Sequence, residues 1–386
     1  MAPKKKKEET EVQETNSTDL LKLIAGDIKG ALTMEEKDEI KFTHARMIPY
    51  ARASVYGGYP TGAIYEVHGP NAGGKTALGV EILASAQKAG HLTSFFDHER
   101  AANDKRWVTS LGLDLNNCIY RNCHSDGKSI WTLEDAAEEV NTMIHNFYDA
   151  KRKKAIPEDK LLYILWDSVA AAVPSAKVAK GAKVGDSNYG LSARLMSDWL
   201  QTLVALIGTD VAIIFLNQER TNVGAKPWEP KFKSFGGEAL QFYAHVRIRV
   251  SFAGEVKEKV NGEEIIIGRK HRLKIEKNKF GYPSQEAYFY TSNGLGECEL
   301  GFDDVRATLD EALFQGIIYK ANASWYASDY FDGNINGERK VREFLRENPP
   351  ILENIKYAIN QLIVEGRAKL TSDEETKDGE EGIVEE

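Results

Sequence analysis

The run Gly69-Pro70-Asn71-Ala72-Gly73-Gly74-Lys75-Thr76 fits the pattern G-x-x-x-x-G-K-[ST]. Glycines at these positions let backbone N–H groups close around phosphate oxygens, and a helix starting there adds a favourable dipole. Lys75 can reach the β- and γ-phosphates, and the Thr76 hydroxyl can hold Mg2+. By itself this loop specifies no more than a nucleoside triphosphate. Three further sites follow apolar runs: Asp167 after Tyr163-Ile164-Leu165-Trp166, Asp97-His98-Glu99 after Phe96, and Asn217-Gln218 after Leu216. A carboxylate at Asp167 suits a metal bound through water. One at Asp97 or Glu99 can orient and deprotonate an attacking water. Singly, Asp97, Glu99 and Gln218 equally suit ordinary polar loops. Together they set phosphate-, metal- and water-handling groups at four strand ends, where open α/β sheets bind ligands.

Two other stretches have a composition of their own. Residues Lys177 to Gly185 carry Lys177, Lys180 and Lys183 with no acid. Residues Arg220 to Phe235 carry Arg220, Lys226, Lys231 and Lys233 against Glu229, interleaved with Trp228, Phe232 and Phe235. Cations among aromatics suit a phosphate backbone with stackable bases, although a lid or a solvated loop shares that composition.

The elements that must position these groups alternate. Ala63 to Val67, Leu92 to Phe96, Leu161 to Trp166 and Val211 to Leu216 read as buried strands. Helical spacing predicts helices over Leu78 to Ala89, Arg106 to Leu111 and Ser129 to Tyr148, and a stripe through Leu191, Leu195, Trp199, Leu203 and Leu206. Such alternation implies a mostly parallel sheet with helices on both faces. Val246 to Phe252 and Glu264 to Lys277 flank Asn261-Gly262, a hairpin signal. Asp303 to Gln315 and Ile351 to Glu365 read as helices of a smaller terminal domain, and Ser17-Thr18-Asp19 can cap a short helix through Leu20, Leu21, Leu23 and Ile24.

Composition narrows the class. No apolar stretch nears the roughly 20 residues of a membrane-spanning helix. The Lys-rich start, Met1 to Glu9, argues against a secretory signal, and three scattered cysteines suit neither a disulfide framework nor a thiolate zinc site. A reducing, cytoplasmic compartment is therefore expected. Net charge is −8, but Ser372 to Glu386 holds eight acids against one lysine, so nearly all the excess lies in that tail.

The ordered series of motifs resembles the RecA recombinase family. It runs through Tyr59-Pro60-Thr61-Gly62, Glu66-Val67-His68-Gly69 and the phosphate loop, then Trp166-Asp167-Ser168, Gly185-Asp186-Ser187, Gly190-Leu191, Ala193-Arg194 and Asn217-Gln218. Gly236-Gly237-Glu238-Ala239-Leu240, Phe242-Tyr243-Ala244 and Lys277-Asn278-Lys279 complete it. The resemblance implies an α/β fold: a RecA-like P-loop ATPase core with a mostly parallel sheet, a short N-terminal helical segment and a small C-terminal α/β domain. The expected division is a charged arm over 1–15, an oligomerisation segment over 16–56, the core over 57–300, a C-terminal domain over 301–370 and an acidic tail over 371–386.

The same resemblance implies an ATP- and Mg2+-dependent protein that forms helical filaments on single-stranded DNA and exchanges strands with a homologous duplex, hydrolysing ATP as DNA stimulates it. Single-strand-binding and mediator proteins are further partners it suggests. Glu99 matches the catalytic glutamate, and Gln218 the glutamine that senses the γ-phosphate. Lys277 and Lys279 match lysines that reach a neighbour's ATP. Asp104 and Trp107 fall where adenine is held, with Asn103 competing for the polar contact because one residue is added before Trp107. The two basic stretches match the DNA-binding loops; Tyr189 and Val223 fall where side chains wedge between bases, and Arg194 joins the DNA-contacting set. A branch-migration or helicase motor, or a filament that only coats DNA, shares much of this pattern.

Overall fold

The computed structural model describes residues 39–54, 57–123, 131–179, 190–221, 226, 232–235, 237–260, 262–283 and 285–369. The charged arm, the short helix after Ser17, Asn261 and the acidic tail lie outside them. By its contacts the chain divides into Met1–Ile40 and Lys41–Glu386, and every element named below belongs to the second unit.

Strands β1 (Phe42–His44) and β2 (Gly58–Pro60) pair antiparallel as a small ribbon. The main sheet has ten strands: β3 (Ala63–Gly69), β4 (Leu92–Asp97), β5 (Cys118–Asn122), β6 (Leu162–Asp167), β7 (Val211–Thr221), β8 (Phe232–Ser234), β9 (Val246–Val260), β10 (Glu263–Asn278), β11 (Gln285–Ser292) and β12 (Gly301–Phe302). Their order is β12-β11-β10-β9-β3-β7-β6-β4-β5, with β8 added to β7. From β9 to β5 every pairing is parallel, and from β9 to β12 every pairing is antiparallel.

The inner parallel strands β3 and β6 are buried along their whole length, which is why β6 reads as an unbroken apolar run up to Asp167. Alternate residues serve two cores. Tyr65, Val67, Leu165 and Leu216 pack under the helix Lys75–Lys88, while Ile64, Phe96, Ile164, Trp166 and Phe215 pack under the helices Leu133–Arg152 and Leu191–Leu206. Gly79 lets the first helix lie close to the sheet, since a Cβ there would come within 2.7 Å of Leu165 Cδ1. The expected mostly parallel sheet with helices on both faces is therefore present.

Some boundaries differ from the sequence reading for local reasons. The helix expected from Ser129 begins at Leu133, because Thr132 and Asp135 close a capping box there. The strand expected to end at Phe252 continues to Val260, where β9 pairs only with its hairpin partner β10 and needs no apolar alternation. Past the sheet, β13 (Ile318–Lys320), β14 (Trp325–Ser328) and β15 (Phe331–Asn336) form a three-stranded antiparallel sheet. The helices Asp304–Gln315, Glu338–Glu347 and Pro349–Val364 accompany it. Among the described residues no helix is long and apolar enough to cross a membrane.

Candidate active site

The strand ends converge as the topology requires. Gly69 stands opposite Gln218 across β3 and β7, and Asp97 opposite Asp167 across β4 and β6. Between them opens a cavity of about 750 Å³, lined among others by Asn71 to Ala77, Glu99, Trp107, Asp167, Gln218 and His271. A single cavity thus gathers Asn71, Ala72, Gly73, Gly74, Lys75, Thr76, Glu99, Trp107, Asp167 and Gln218.

The loop from Gly69 to Gly74 needs its glycines for clearance on the protein side. A Cβ on Gly69 would fall 1.9 Å from the Val250 carbonyl oxygen, and Gly74 caps the helix in a left-handed conformation. The first turn of the helix that follows, whose N–H groups have no intrahelical partner, lines the cavity with Lys75, Thr76 and Ala77. Lys75 Nζ donates to the carbonyls of Gly69 (3.2 Å) and Pro70 (2.8 Å), and burial holds its pKa below the ordinary value. His271, unread in the sequence, braces the loop from β10. Its Nδ1 lies 2.7 Å from Gly73 O and its Nε2 2.9 Å from Thr291 Oγ1.

Thr76 Oγ1 donates to Asp167 Oδ2 at 2.8 Å. Burial pushes the Asp167 carboxyl up to about 7, against the pull of that hydrogen bond, with Glu99 and Asp97 adding repulsion. A hydroxyl and a carboxylate short of positive charge, beside an anion-binding loop, fit an Mg2+ ion that the phosphates would share. Thr76 would hold the metal directly and Asp167 through water, and the ion would supply charge neutralisation at the phosphates.

Glu99 is fixed from two sides. Its Oε1 accepts from Gln218 Nε2 at 2.8 Å and from the Ser168 hydroxyl. Ser168 carried no role in the sequence reading, and only its place after Asp167 hinted at one. Asp97, the other candidate, is spent on structure: it accepts from the N–H groups of Ala101 and Ala102 and from the Tyr120 hydroxyl. Of the two, Glu99 is the carboxylate at the cavity.

Other residues lie elsewhere. Asp104 caps the helix Lys105–Ser110, its exposed carboxylate bonds Arg106, and Trp107 follows one turn on. Lys277 Nζ donates to the carbonyls of Gln241 and Phe242, and Lys279 is exposed. Lys277 lies at the far end of β10 and Lys279 just past it, six residues or more beyond His271, so roughly 20 Å from the loop at strand rise. Lys177, Arg194 and Lys226 are exposed. Arg220 and Lys233 are backbone register partners in the β7–β8 ladder. Lys180, Lys183, Tyr189, Val223, Trp228 and Lys231 lie outside the described residues.

The comparisons agree with this geometry. Residues 27–296 match the family model for the RecA N-terminal domain. The chain is 34% identical to protein RecA of Acinetobacter baylyi over 326 residues, covering 83% of each chain. It is 35% identical to protein RecA of Acidothermus cellulolyticus over 310 residues, 80% of this chain and 79% of that one. Protein RecA of Caulobacter vibrioides is 35% identical over 307 residues, 79% and 76% of the two chains. A phosphate loop, an acid, a glutamine and a buried aspartate at four adjoining strand ends, within a match of this extent, lead to one conclusion: the chain belongs to the RecA family, whose members bind ATP and DNA in recombination and repair.

Proposed function

We propose that this protein polymerises on single-stranded DNA, pairs it with a homologous duplex and exchanges strands, hydrolysing ATP as DNA stimulates it. The observation that carries the reading is Gln218. Its side chain rests on Glu99 in the cavity, while its strand runs on through Arg220 towards the second basic stretch and returns as β8. One residue therefore touches the hydrolytic carboxylate and belongs to the root of the DNA-binding loop.

In this reading ATP occupies the cavity with its triphosphate on Gly69 to Thr76 and its base against Trp107. Glu99 orients the attacking water. Lys277 and Lys279, at the end of β10 remote from their own cavity, serve the ATP of a neighbouring subunit, so hydrolysis requires assembly. An added cation at the γ-phosphate is worth about 10³–10⁵ in rate. The segment 16–56 mediates polymerisation, the residues beyond 300 form an accessory domain, and the acidic tail competes with DNA for the basic stretches. Single-strand-binding and mediator proteins are the expected partners, in the cytoplasm.

The test is strand exchange with homologous and heterologous duplexes under ATP, run beside unwinding of a forked substrate. Exchange that depends on homology supports the reading. Directional unwinding without homology would assign a helicase or branch-migration motor, and coating without exchange a protective filament.

A further inference from the structure

On the opposite side of the same strand ends from the cavity lies a cluster that the nucleotide chemistry leaves unused. Glu219 follows Gln218 in β7 and so points to the other face. Arg249 of β9 grips it with a fork, Nε to Oε1 at 2.8 Å and Nη2 to Oε2 at 3.0 Å. His68 of β3 stands between two carboxylates, Nδ1 2.9 Å from Glu219 and Nε2 2.9 Å from Glu276 of β10. Arg247 Nε donates to Glu66 at 2.6 Å, and its Nη2 lies 3.4 Å from His68 Nε2. Asn217 donates to Glu66 and to the Phe235 carbonyl, both at 2.9 Å.

The protonation of His68 follows from this geometry. A neutral imidazole has one N–H and would turn a lone pair towards one of the carboxylates. The imidazolium makes two charge-assisted hydrogen bonds instead. It also adds a positive charge to the cluster, where among the described residues the carboxylates of Glu66, Glu219 and Glu276 form their other ion pairs with the guanidiniums of Arg247 and Arg249. Burial opposes charge on His68, but Glu219 and Glu276 outweigh it and hold its pKa above the usual 6.5.

The cluster sits at the root of the second basic stretch. The outgoing strand β7 and the returning strand β8 pair Glu219 with Ser234 and Thr221 with Phe232. Arg249, while gripping Glu219, also lies over the Phe232 ring at 5.5 Å. Phe235 N–H donates to the Gln218 carbonyl at 3.0 Å. We propose that His68, an imidazolium bridging Glu219 to Glu276, is a positioning residue that clamps the root of this loop and keeps Gln218 on Glu99, so that its protonation sets how strongly DNA stimulates hydrolysis. The inference rests on the functional reading above and adds a regulator to it.

The experiment compares the full chain with His68→Gln and Glu219→Gln from pH 6 to 9. It records ATP turnover with and without single-stranded DNA, affinity for a fluorescent nucleotide, and the melting temperature. In the parent the ratio of stimulated to basal turnover should fall as pH rises past the His68 titration, while nucleotide affinity stays level. His68→Gln should show a ratio about fivefold or more below the parent at pH 6, the lower end of ordinary site-to-site coupling, and flat with pH. An unchanged ratio in His68→Gln, or a nucleotide affinity that falls with it, would overturn the proposal. If DNA fails to stimulate the parent at any pH, the functional reading fails first. The clamp is then decided by ¹⁵N imidazole shifts: two protonated ring nitrogens at pH 7 support it, and a neutral tautomer removes it.

Discussion

Asp167 and Glu219 are carboxylates at neighbouring strand ends of one sheet, yet they are shifted in opposite directions. Asp167, on the cavity side, is pushed up to about 7 by burial. Glu219 is also opposed by burial, but hydrogen bonds from His68 and Arg249 bring it down to about 2. The difference is one of completeness. The rear cluster supplies its own counter-charges and is a finished piece of structure. The cavity leaves its aspartate with a threonine hydroxyl and a distant lysine, a deficit that a cation from outside would fill. A site built to receive charge and a site built to hold position can thus be told apart by whether their charges already balance.

The sharpest way to break that distinction is to exchange one acid on each side for its amide or alanine. Glu99→Gln should lower ATP turnover by about 10²–10⁴-fold, the ordinary worth of a general base, and leave nucleotide affinity nearly as it was. Turnover close to the parent's would move the hydrolytic role elsewhere. Glu219→Ala should act on stability instead. It takes one of two carboxylates from the buried His68 and the forked partner from the Arg249 guanidinium, and removing one member of a buried ion pair costs about 3–5 kcal/mol. Urea denaturation measures the loss; a cost below about 1 kcal/mol, the range of exposed ion pairs, would show that the cluster is not a clamp.

How much of this was legible in the sequence depends on the kind of constraint. The phosphate loop, Asp167 and Gln218 announce themselves because each follows an apolar strand that the sheet buries on both faces. The residues alone left Asp97 and Glu99 open and the resemblance pointed to Glu99; the structure adds that Asp97 turns back onto Ala101, Ala102 and Tyr120. His271 and the rear cluster were illegible for a different reason. Their partners are separated by up to 208 residues, as His68 is from Glu276, and no local spacing encodes such a pairing. Strand β5 and the individual strands β13 to β15 escaped the reading of the residues, although the resemblance implied an α/β terminal domain, because short or edge strands, with Ile119 and Tyr120 facing outwards, carry no apolar period.

The gentlest probe of the comparison is pH, in the presence of EDTA and without nucleotide. Between 3.8 and about 7 the folded state holds the Asp167 proton more tightly than the unfolded chain does. Its contribution to stability therefore falls as pH rises through that window. Asp167→Asn mimics the protonated form, so its stability relative to the parent should climb across the window and level off above it. Glu219 has the opposite sign. The unfolded chain binds its proton more readily between about 2 and 4.5, so its contribution is complete above 4.5 and is lost as pH falls towards 2. The deficit of Glu219→Gln should accordingly be constant between 4.5 and 6.5, where His68 is protonated, and shrink below 4.5. Denaturation curves at stepped pH would show one difference growing upwards from 3.8 and the other shrinking downwards from 4.5. Two differences with the same slope would mean that the acids share one environment, and that the cavity is as self-neutralised as the cluster behind it.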